Sequence, residues 1–193
     1  MYTRHPSTSG FTLMEVMIVV LIIIFLFSFA IFPYSYYMKR SYVERSRDIL
    51  GQEWILAHKE IRNGKLFDGD QHARTVLIFE KGSENISEYK YLGTDYPELT
   101  EFTPTSTNPN IKFEKYHEFD SGIKLQKYHG FTGAESNHKF GYMIQPPFGK
   151  GVFFTGGLNS EFTLTGIYLT IGYNGASLET GHAREMLLRP YLQ

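Results

Sequence analysis

The chain has 193 residues, of which 42% are hydrophobic and 20% charged, a composition typical of a folded protein and not of a disordered one. Its 19 Lys and Arg are balanced by 20 Asp and Glu. The resulting net charge of −1 argues against a general nucleic-acid binder that works through bulk charge. The absence of cysteine from the sequence excludes disulfides, cysteine-based zinc sites, iron–sulfur clusters and thiol catalysis.

An uncharged apolar stretch over residues 16–38 dominates the N-terminal part of the chain. At about 1.5 Å per residue, a helix of this length could span the roughly 30 Å hydrocarbon core of a bilayer. Lys39 and Arg40 follow it directly, and these charges would by themselves favour a cytoplasmic location for the C-terminal side.

Two kinds of processing compete for this segment. A conventional secretory signal has a short apolar core followed by a small-residue cleavage site, and Ser28-Phe29-Ala30 fits such a site. The mature chain would then begin at Ile31, and residues 1–30 would be lost. Glu15 argues against this interpretation, because it lies at the very edge of the apolar run.

The second interpretation starts from the string Gly10-Phe11-Thr12-Leu13-Met14-Glu15, which directly precedes the apolar run. Here the sequence resembles type IV pilins and the pseudopilins of type II secretion. Their leader peptide ends in Gly, which is followed by Phe-Thr-Leu-x-Glu and then by an apolar helix. The resemblance covers residues 7–63 strongly and the remainder only in outline. It implies cleavage by a prepilin peptidase after Gly10, N-methylation of Phe11, and a role for Glu15 in assembly.

The position of Glu15 has a physical meaning beside that resemblance. A carboxylate in an apolar segment costs about 2.5–3.5 kcal/mol at the bilayer centre and less near its edge, so it needs a partner. Cleavage after Gly10 would create one, the ammonium group of Phe11. In a water-poor helix bundle, a correctly staggered pair between neighbouring subunits, or within one, would be favourable and would set the axial register. The alternative is that Glu15 only marks the interfacial end of a membrane helix.

The helical pattern continues beyond the apolar stretch. Tyr34–Tyr37 has the composition of an interfacial aromatic belt. An apolar stripe at helical spacing follows, formed by Val43, Leu50, Trp54, Ala57 and Ile61. Asn63-Gly64 supplies a helix stop.

We therefore predict one long helix over residues 11–62, with the stripe pressed against a globular domain. Pro33 resembles the helix-kinking proline of the pilin family, one position later than usual, and the helix is expected to kink there. Trp54 is expected to pack in the core and not to stack on a cofactor.

From Lys65 onward the pattern changes to that of strands, with alternation typical of an antiparallel sheet that is buried on one face. The predicted strands are Arg74–Glu80, Glu88–Leu92, Ile111–Tyr116, Gly122–Tyr128, Lys139–Ile144, Val152–Thr155, Phe162–Tyr173 and Met186–Leu192. Asn174-Gly175 is the strongest hairpin signal, and Thr94–Asn110 is predicted to be an exposed loop. The predicted fold is α+β, a long kinked N-terminal helix on an antiparallel β-rich head. This outline is similar to that of pilins, and more specifically to the H class of minor pseudopilins and their FimT-like relatives.

Motifs that would carry catalysis or metal binding are not found in the sequence. None of the seven histidines has a metal-ligand spacing, and they are predicted to be scattered surface residues. Asp68-Gly69-Asp70 could offer oxygens to calcium, but the rest of an EF-type loop is missing and a tight turn is favoured. No nucleophile elbow or Ser/His/Asp arrangement suggests hydrolysis. We therefore expect neither an enzyme nor a cofactor or metal site.

One binding feature remains near the C-terminus, where His182, Arg184 and Arg189 form a thin basic patch. In some FimT-like pilins of DNA-uptake systems, a basic C-terminal segment contacts DNA, so the resemblance implies a possible nucleic-acid contact at Arg184 and Arg189. Glu179 and Glu185 offset this charge, and an ordinary solvated strand end is favoured.

The predicted organisation is a leader peptide over residues 1–10, a transmembrane and filament-core helix over 11–33, its amphipathic continuation over 34–63, and a β-rich head over 64–193. The predicted function is that of a structural subunit of a type IV pilus or a type II secretion pseudopilus. It would be anchored in the cytoplasmic membrane with the head outside the cytoplasm. Its partners would be other subunits, the prepilin peptidase and methyltransferase, and an inner-membrane assembly platform. The alternative is a DNA- or surface-binding minor pilin.

Overall fold

The computed structural model describes residues 12–64, 73–93, 97–129, 139–155, 161–162 and 166–190. The chain divides into two compact units, with the boundary between Lys39 and Arg40. The fold is α+β, with one long N-terminal helix that is apolar in its first half and packs on an antiparallel β-sheet head through its second half.

The helix, α1, runs over Leu13–Arg62 and thus through both units. It ends where the sequence predicts, because Gly64 has a φ of 69° and its N–H donates to the carbonyl of Ile61 at 3.1 Å. A residue in this left-handed conformation satisfies one of the last helical carbonyls, and glycine adopts it without a Cβ penalty. The predicted stop at Asn63-Gly64 is therefore confirmed.

In the part of the chain that the structure describes, nine strands form two antiparallel sheets. They are β1 (Arg74–Glu80), β2 (Asn85–Tyr91), β3 (Ile111–Glu118), β4 (Ile123–His129), β5 (Lys139–Gln145), β6 (Lys150–Phe154), β7 (Glu161–Phe162), β8 (Ile167–Tyr173) and β9 (Ala183–Leu188). The larger sheet has the order β3-β2-β1-β5-β6-β7, and the smaller one has the order β4-β8-β9.

Each predicted strand overlaps a strand of the structure, but only β1 has the predicted bounds, and two of the predictions differ most from the structure. The predicted strand over Phe162–Tyr173 is divided between β7 and β8. The last strand begins at Ala183, where it pairs with Gly172, and ends at Leu188 instead of Leu192. Pro190 follows closely, and proline has no N–H with which to extend a ladder.

The connection between β8 and β9 confirms the hairpin that Asn174-Gly175 predicts. Ala176 N–H donates to the carbonyl of Tyr173 at 2.9 Å, and Gly175 has a φ of 74°, which closes a turn at this dipeptide. The chain then continues to His182, whose carbonyl accepts from Tyr173 N–H at 3.1 Å. The hairpin is therefore closed by a longer loop over residues 174–182.

The main core lies between α1 and the two sheets. All five residues of the predicted helical stripe are buried in it, together with Leu77 and Phe79 of β1 and with the inward side chains of β4 and β8. The prediction of an amphipathic second half of the helix is confirmed. Burial of this stripe is the main apolar contribution of the helix to the stability of the head.

A second core covers the opposite face of the larger sheet. It contains Val76 and Ile78 of β1, so that this strand is buried on both faces, and the one-sided sheet predicted from the alternation is wrong for its centre. Residues of the segment Thr94–Asn110, which is predicted to be an exposed loop, pack against this face of the sheet. A 3₁₀ turn at Leu99–Glu101 places Leu99 and Phe102 against the sheet, with Phe102 only 1% exposed. The prediction of an exposed loop is therefore wrong for Leu99 and Phe102. The polar composition of the segment as a whole gives no indication that these two apolar side chains are buried.

Candidate functional site

The N-terminal end of α1 is closed by mutual hydrogen bonds between Thr12 and Glu15. The backbone N–H and the hydroxyl of Thr12 donate to one Glu15 carboxylate oxygen at 2.8 and 2.9 Å. The backbone N–H of Glu15 donates to Thr12 Oγ1 at 3.3 Å. This is a capping box, and its signal in the sequence is the Thr-x-x-Glu spacing, so Thr12 is a residue that the sequence reasoning missed. Gly10 and Phe11 lie outside the described residues.

The first unit presents an apolar surface throughout the described part of its length. Side chains from Leu13 to Tyr37 are exposed, with Ile23 at 45% and Leu13 at 82%. The most apolar window of α1 has a mean hydropathy of 3.1 and is not buried at all within the chain. By length and composition this helix could cross a membrane.

The two serine side chains within this apolar segment bond to their own helix. Ser28 Oγ donates to the carbonyl of Ile24 at 2.9 Å, and Ser35 Oγ donates to the carbonyl of Phe32 at 2.9 Å. Such local bonds remove the need for water at these hydroxyls, as a lipid or helix-bundle environment requires. Pro33 lies inside α1, which continues beyond it, and the kink that we expect there stays a prediction.

Trp54 packs in the core of the head, as predicted. Its ring is stacked on Tyr142 with a centroid separation of 4.0 Å, and it also contacts Phe153 and Phe79. The side chain is 5% exposed. Aromatic contacts of this kind, together with the area buried, make Trp54 an anchor that joins α1 to β1, β5 and β6.

His58 lies in the core beside Trp54, so the prediction of surface histidines is wrong for it. Its Nδ1 is 3.0 Å from the carbonyl of Gly149, and its Nε2 is 2.9 Å from the hydroxyl of Tyr142. The carbonyl can only accept and the phenol can donate, so a neutral ring with its proton on Nδ1 satisfies both contacts. Burial lowers the pKa of His58 to about 4, against a smaller opposing effect of the hydrogen bond to Gly149. His5, His72, His138 and the side chain of His129 lie outside the described residues.

A buried ionic cluster lies between α1 and the β2–β3 edge of the larger sheet. At its centre, Lys90 Nζ donates to Glu88 Oε1 at 2.9 Å and to Thr75 Oγ1 at 2.7 Å. Lys90 also lies 3.9 Å from Glu60 Oε2 of the helix. Burial alone would raise the pKa of Glu88, but the hydrogen bond from His117 and the positive charges of Lys90 and Lys115 lower it to about 2.

His117 connects this cluster to the helix and is the second buried histidine. Its Nε2 is 2.9 Å from Glu88 Oε2, and its Nδ1 is 3.2 Å from Glu53 Oε2. Each ring nitrogen of His117 therefore faces a carboxylate, one on β2 and one on α1. Sequence reasoning missed this cluster, because its members come from α1, β2 and β3 and no local spacing unites them.

The two basic residues predicted for nucleic-acid contact differ in their surroundings. The guanidinium of Arg184 donates to Glu44 Oε1 at 2.9 Å, and Arg40 contacts the same oxygen at 3.2 Å. The hydrogen bonds from Arg184 and then Arg40 hold the pKa of Glu44 below its usual range. Arg189 lies beyond the end of β9 and is exposed. Arg184 therefore ties β9 to the helix, and the structure does not join the two arginines into one basic site.

Among the residues that the structure describes, no group of three or more His, Cys, Asp or Glu side chains could hold a metal ion. Asp68-Gly69-Asp70, the weak calcium candidate, lies outside those residues. Comparison with protein-family models, with curated proteins and with solved structures finds no match.

Proposed function

We propose that this protein is a structural subunit of a type IV pilus or a type II secretion pseudopilus, processed after Gly10 and assembled through its N-terminal helix. One combined observation carries the proposal. The string Gly10-Phe11-Thr12-Leu13-Met14-Glu15 stands directly at the start of a helix whose first half is apolar and exposed and whose second half is packed on a folded head.

The exposed first half of α1 requires an apolar environment. Burial of apolar surface contributes about 25 cal/mol per Å², and the side chains of residues 13–37 leave most of their area uncovered within the chain. A bilayer would supply this environment before assembly and a bundle of identical helices would supply it in a filament. In both cases the head would remain in water.

The orientation in the membrane follows from the leader resemblance and not from charge. Lys39 and Arg40 alone would favour a cytoplasmic head. Processing by a prepilin peptidase implies the opposite orientation, with the leader in the cytoplasm and the head outside it. An assembly platform in the inner membrane would withdraw the helix from the bilayer into the filament.

Intact mass spectrometry of the protein purified from its native membrane tests this proposal. We expect the mass of residues 11–193 plus one methyl group. Loss of residues 1–30 instead would establish a conventional signal peptide and would overturn the proposal, because the assembly helix would be destroyed.

The alternative of a DNA-binding minor pilin has weaker support. Glu44 neutralises Arg184, and Arg189 remains as the exposed member of the predicted patch. DNA retardation by the protein, lost in the double variant Arg184→Ala and Arg189→Ala, would favour this alternative.

A further inference from the structure

A cleft of about 690 Å³ lies in the head, away from α1. Its walls come from the turn between β1 and β2, from β4 and β8, and from the first part of the loop over 174–182. The lining residues include Lys81, Lys124, Gln126, Lys127, Thr170 and Glu179. This volume falls within the range of small-molecule sites, about 300–1,000 Å³.

A β-bulge places two of the lysines on the same face of the smaller sheet. Lys124 pairs with Gly172 and Lys127 pairs with Thr170, so that Gln126 is an extra residue in β4. In a regular strand, residues three apart point to opposite faces, and Lys127 would then share the core-facing side of Leu125. The bulge instead aligns Lys127 with Lys124 and with Thr170, on the side away from the core.

The positive charge of the cleft is only partly compensated. Lys124 Nζ lies 3.4 Å from Glu84 Oε1. Among the residues that line the cleft, Glu179 is the acidic one. In the part of the chain that the structure describes, Lys81 and Lys127 form no ion pair. Three ammonium groups around one cleft attract anions and repel cations.

Thr170 gives an independent indication of a ligand. It is 1% exposed, it lines the cleft, and its hydroxyl has no hydrogen-bond partner among the residues that the structure describes. Buried hydroxyls are nearly always paired, and an unpaired one indicates a missing partner. An anionic oxygen in the cleft would accept the hydrogen bond of this hydroxyl.

We propose that this cleft binds a small ligand with two or more acidic groups, phosphate or carboxylate. Its charge is matched by Lys81, Lys124 and Lys127, and one of its oxygens accepts from Thr170 Oγ1. The bulge at Gln126 serves to bring the lysines and the hydroxyl to the same face. This inference is independent of the filament role, because the cleft involves no residue of α1.

Isothermal titration calorimetry tests the site. The full chain in detergent micelles is titrated with pyrophosphate, with citrate and with acetate. We expect pyrophosphate or citrate to bind and acetate, with a single charge, to bind far more weakly. The double variant Lys81→Gln and Lys127→Gln should weaken binding by about tenfold or more. Thr170→Val, which removes the hydroxyl but keeps the shape, should weaken it as well. The tighter of the two polyanions identifies the acidic group as phosphate or carboxylate.

The matched control is the double variant Lys59→Gln and Lys150→Gln, which removes the same charge from exposed positions outside the cleft. It should bind the polyanion as the unaltered chain does. Equal weakening in both double variants would reveal only nonspecific charge attraction and overturn the proposal. So would the absence of binding of both polyanions at about 1 mM. Circular dichroism of each variant verifies that the head is folded.

Discussion

Burial keeps His58 neutral in the core of the head, where its ring contacts Gly149 and Tyr142. Its pKa is about 4 in the folded chain and about 6.5 when unfolded. As the pH falls below 6.5, the unfolded state therefore takes up the proton first, and stability is lost until the pH reaches about 4. Above pH 6.5 this contribution is fully present.

We predict that the free energy of unfolding falls by about 2–3 kcal/mol between pH 6.5 and pH 4.5, from about 1.4 kcal/mol per pKa unit. Urea denaturation of the full chain in detergent, followed by the fluorescence of the sole tryptophan, Trp54, measures it. The variant His58→Gln keeps a donor and an acceptor but does not titrate, so its stability should change much less over this range. Equal pH dependence of the two proteins would contradict this account of His58.

Glu15 has two possible roles, and the structure makes them separable. Its carboxylate caps the helix through Thr12, a role that glutamine also fills in a capping box. Charge pairing with the ammonium group of Phe11, in contrast, requires the negative charge. The two roles therefore differ in their response to the substitution Glu15→Gln.

We predict that Glu15→Val and Glu15→Gln both abolish incorporation into filaments while the chain stays in the membrane with a folded head. The control Thr12→Ala removes the side-chain part of the cap but keeps the charge, and it should still assemble. Immunoblots of sheared filament and membrane fractions measure the distribution. Normal assembly of Glu15→Gln would show that capping is sufficient and would refute the charge-pairing role.

At the scale of elements, the second half of α1 is attached to the head by an apolar stripe and by buried charge. Trp54 and its neighbours bury apolar area, while Glu53 and Glu60 reach the cluster around Glu88 and Lys90. Buried charges are costly to desolvate, and they are tolerated here because each has partners of opposite charge. All of these charges are paired only when α1, β2 and β3 pack in one particular arrangement, so the cluster fixes the relative position of these elements.

We predict that Glu88→Ala lowers the free energy of unfolding by about 3–5 kcal/mol, because it leaves Lys90 and His117 buried without their carboxylate. Denaturation followed by Trp54 fluorescence measures the loss. The control Glu114→Ala, at an exposed position on β3, should change stability by less than about 0.5 kcal/mol. If the two variants were equally stable, the cluster would have no structural importance.

At the scale of the whole molecule, the chain consists of an apolar unit that lacks internal cover and a head that has its own core. The first unit accounts for most of the large exposed apolar side chains. We therefore expect that the part of the chain from Arg40 onward folds by itself, and that the part up to Lys39 makes the full chain insoluble in water.

We predict that a fragment over residues 40–193 is a soluble, folded monomer, whereas the full chain requires detergent. Size-exclusion chromatography and circular dichroism of the fragment provide the measurement, since its core includes the whole stripe from Val43 to Ile61. Aggregation of the fragment in the absence of detergent would contradict the independence of the head.

Much of the fold could be predicted because the signals are local. Hydrophobic spacing indicated the helix and its buried stripe, glycine conformations indicated Asn63-Gly64 and Asn174-Gly175, and alternation located the strands approximately. The strand order could not be predicted, nor could the burial of Phe102, because both depend on contacts between segments distant in the chain. For the same reason His58 and His117 were expected at the surface.

The features that depend on neighbouring residues could be predicted from the sequence: the long helix, its apolar first half, its end at Asn63-Gly64, and the leader-like string ahead of it. Which polar side chains are buried and which charges meet is a consequence of the tertiary structure. It paired Arg184 with Glu44, placed Glu88 beside His117, and brought the lysines of the cleft together with Thr170. The physical reason is that helix and strand periodicity are properties of adjacent residues, whereas desolvation and charge pairing are properties of surfaces that meet only when the chain has folded.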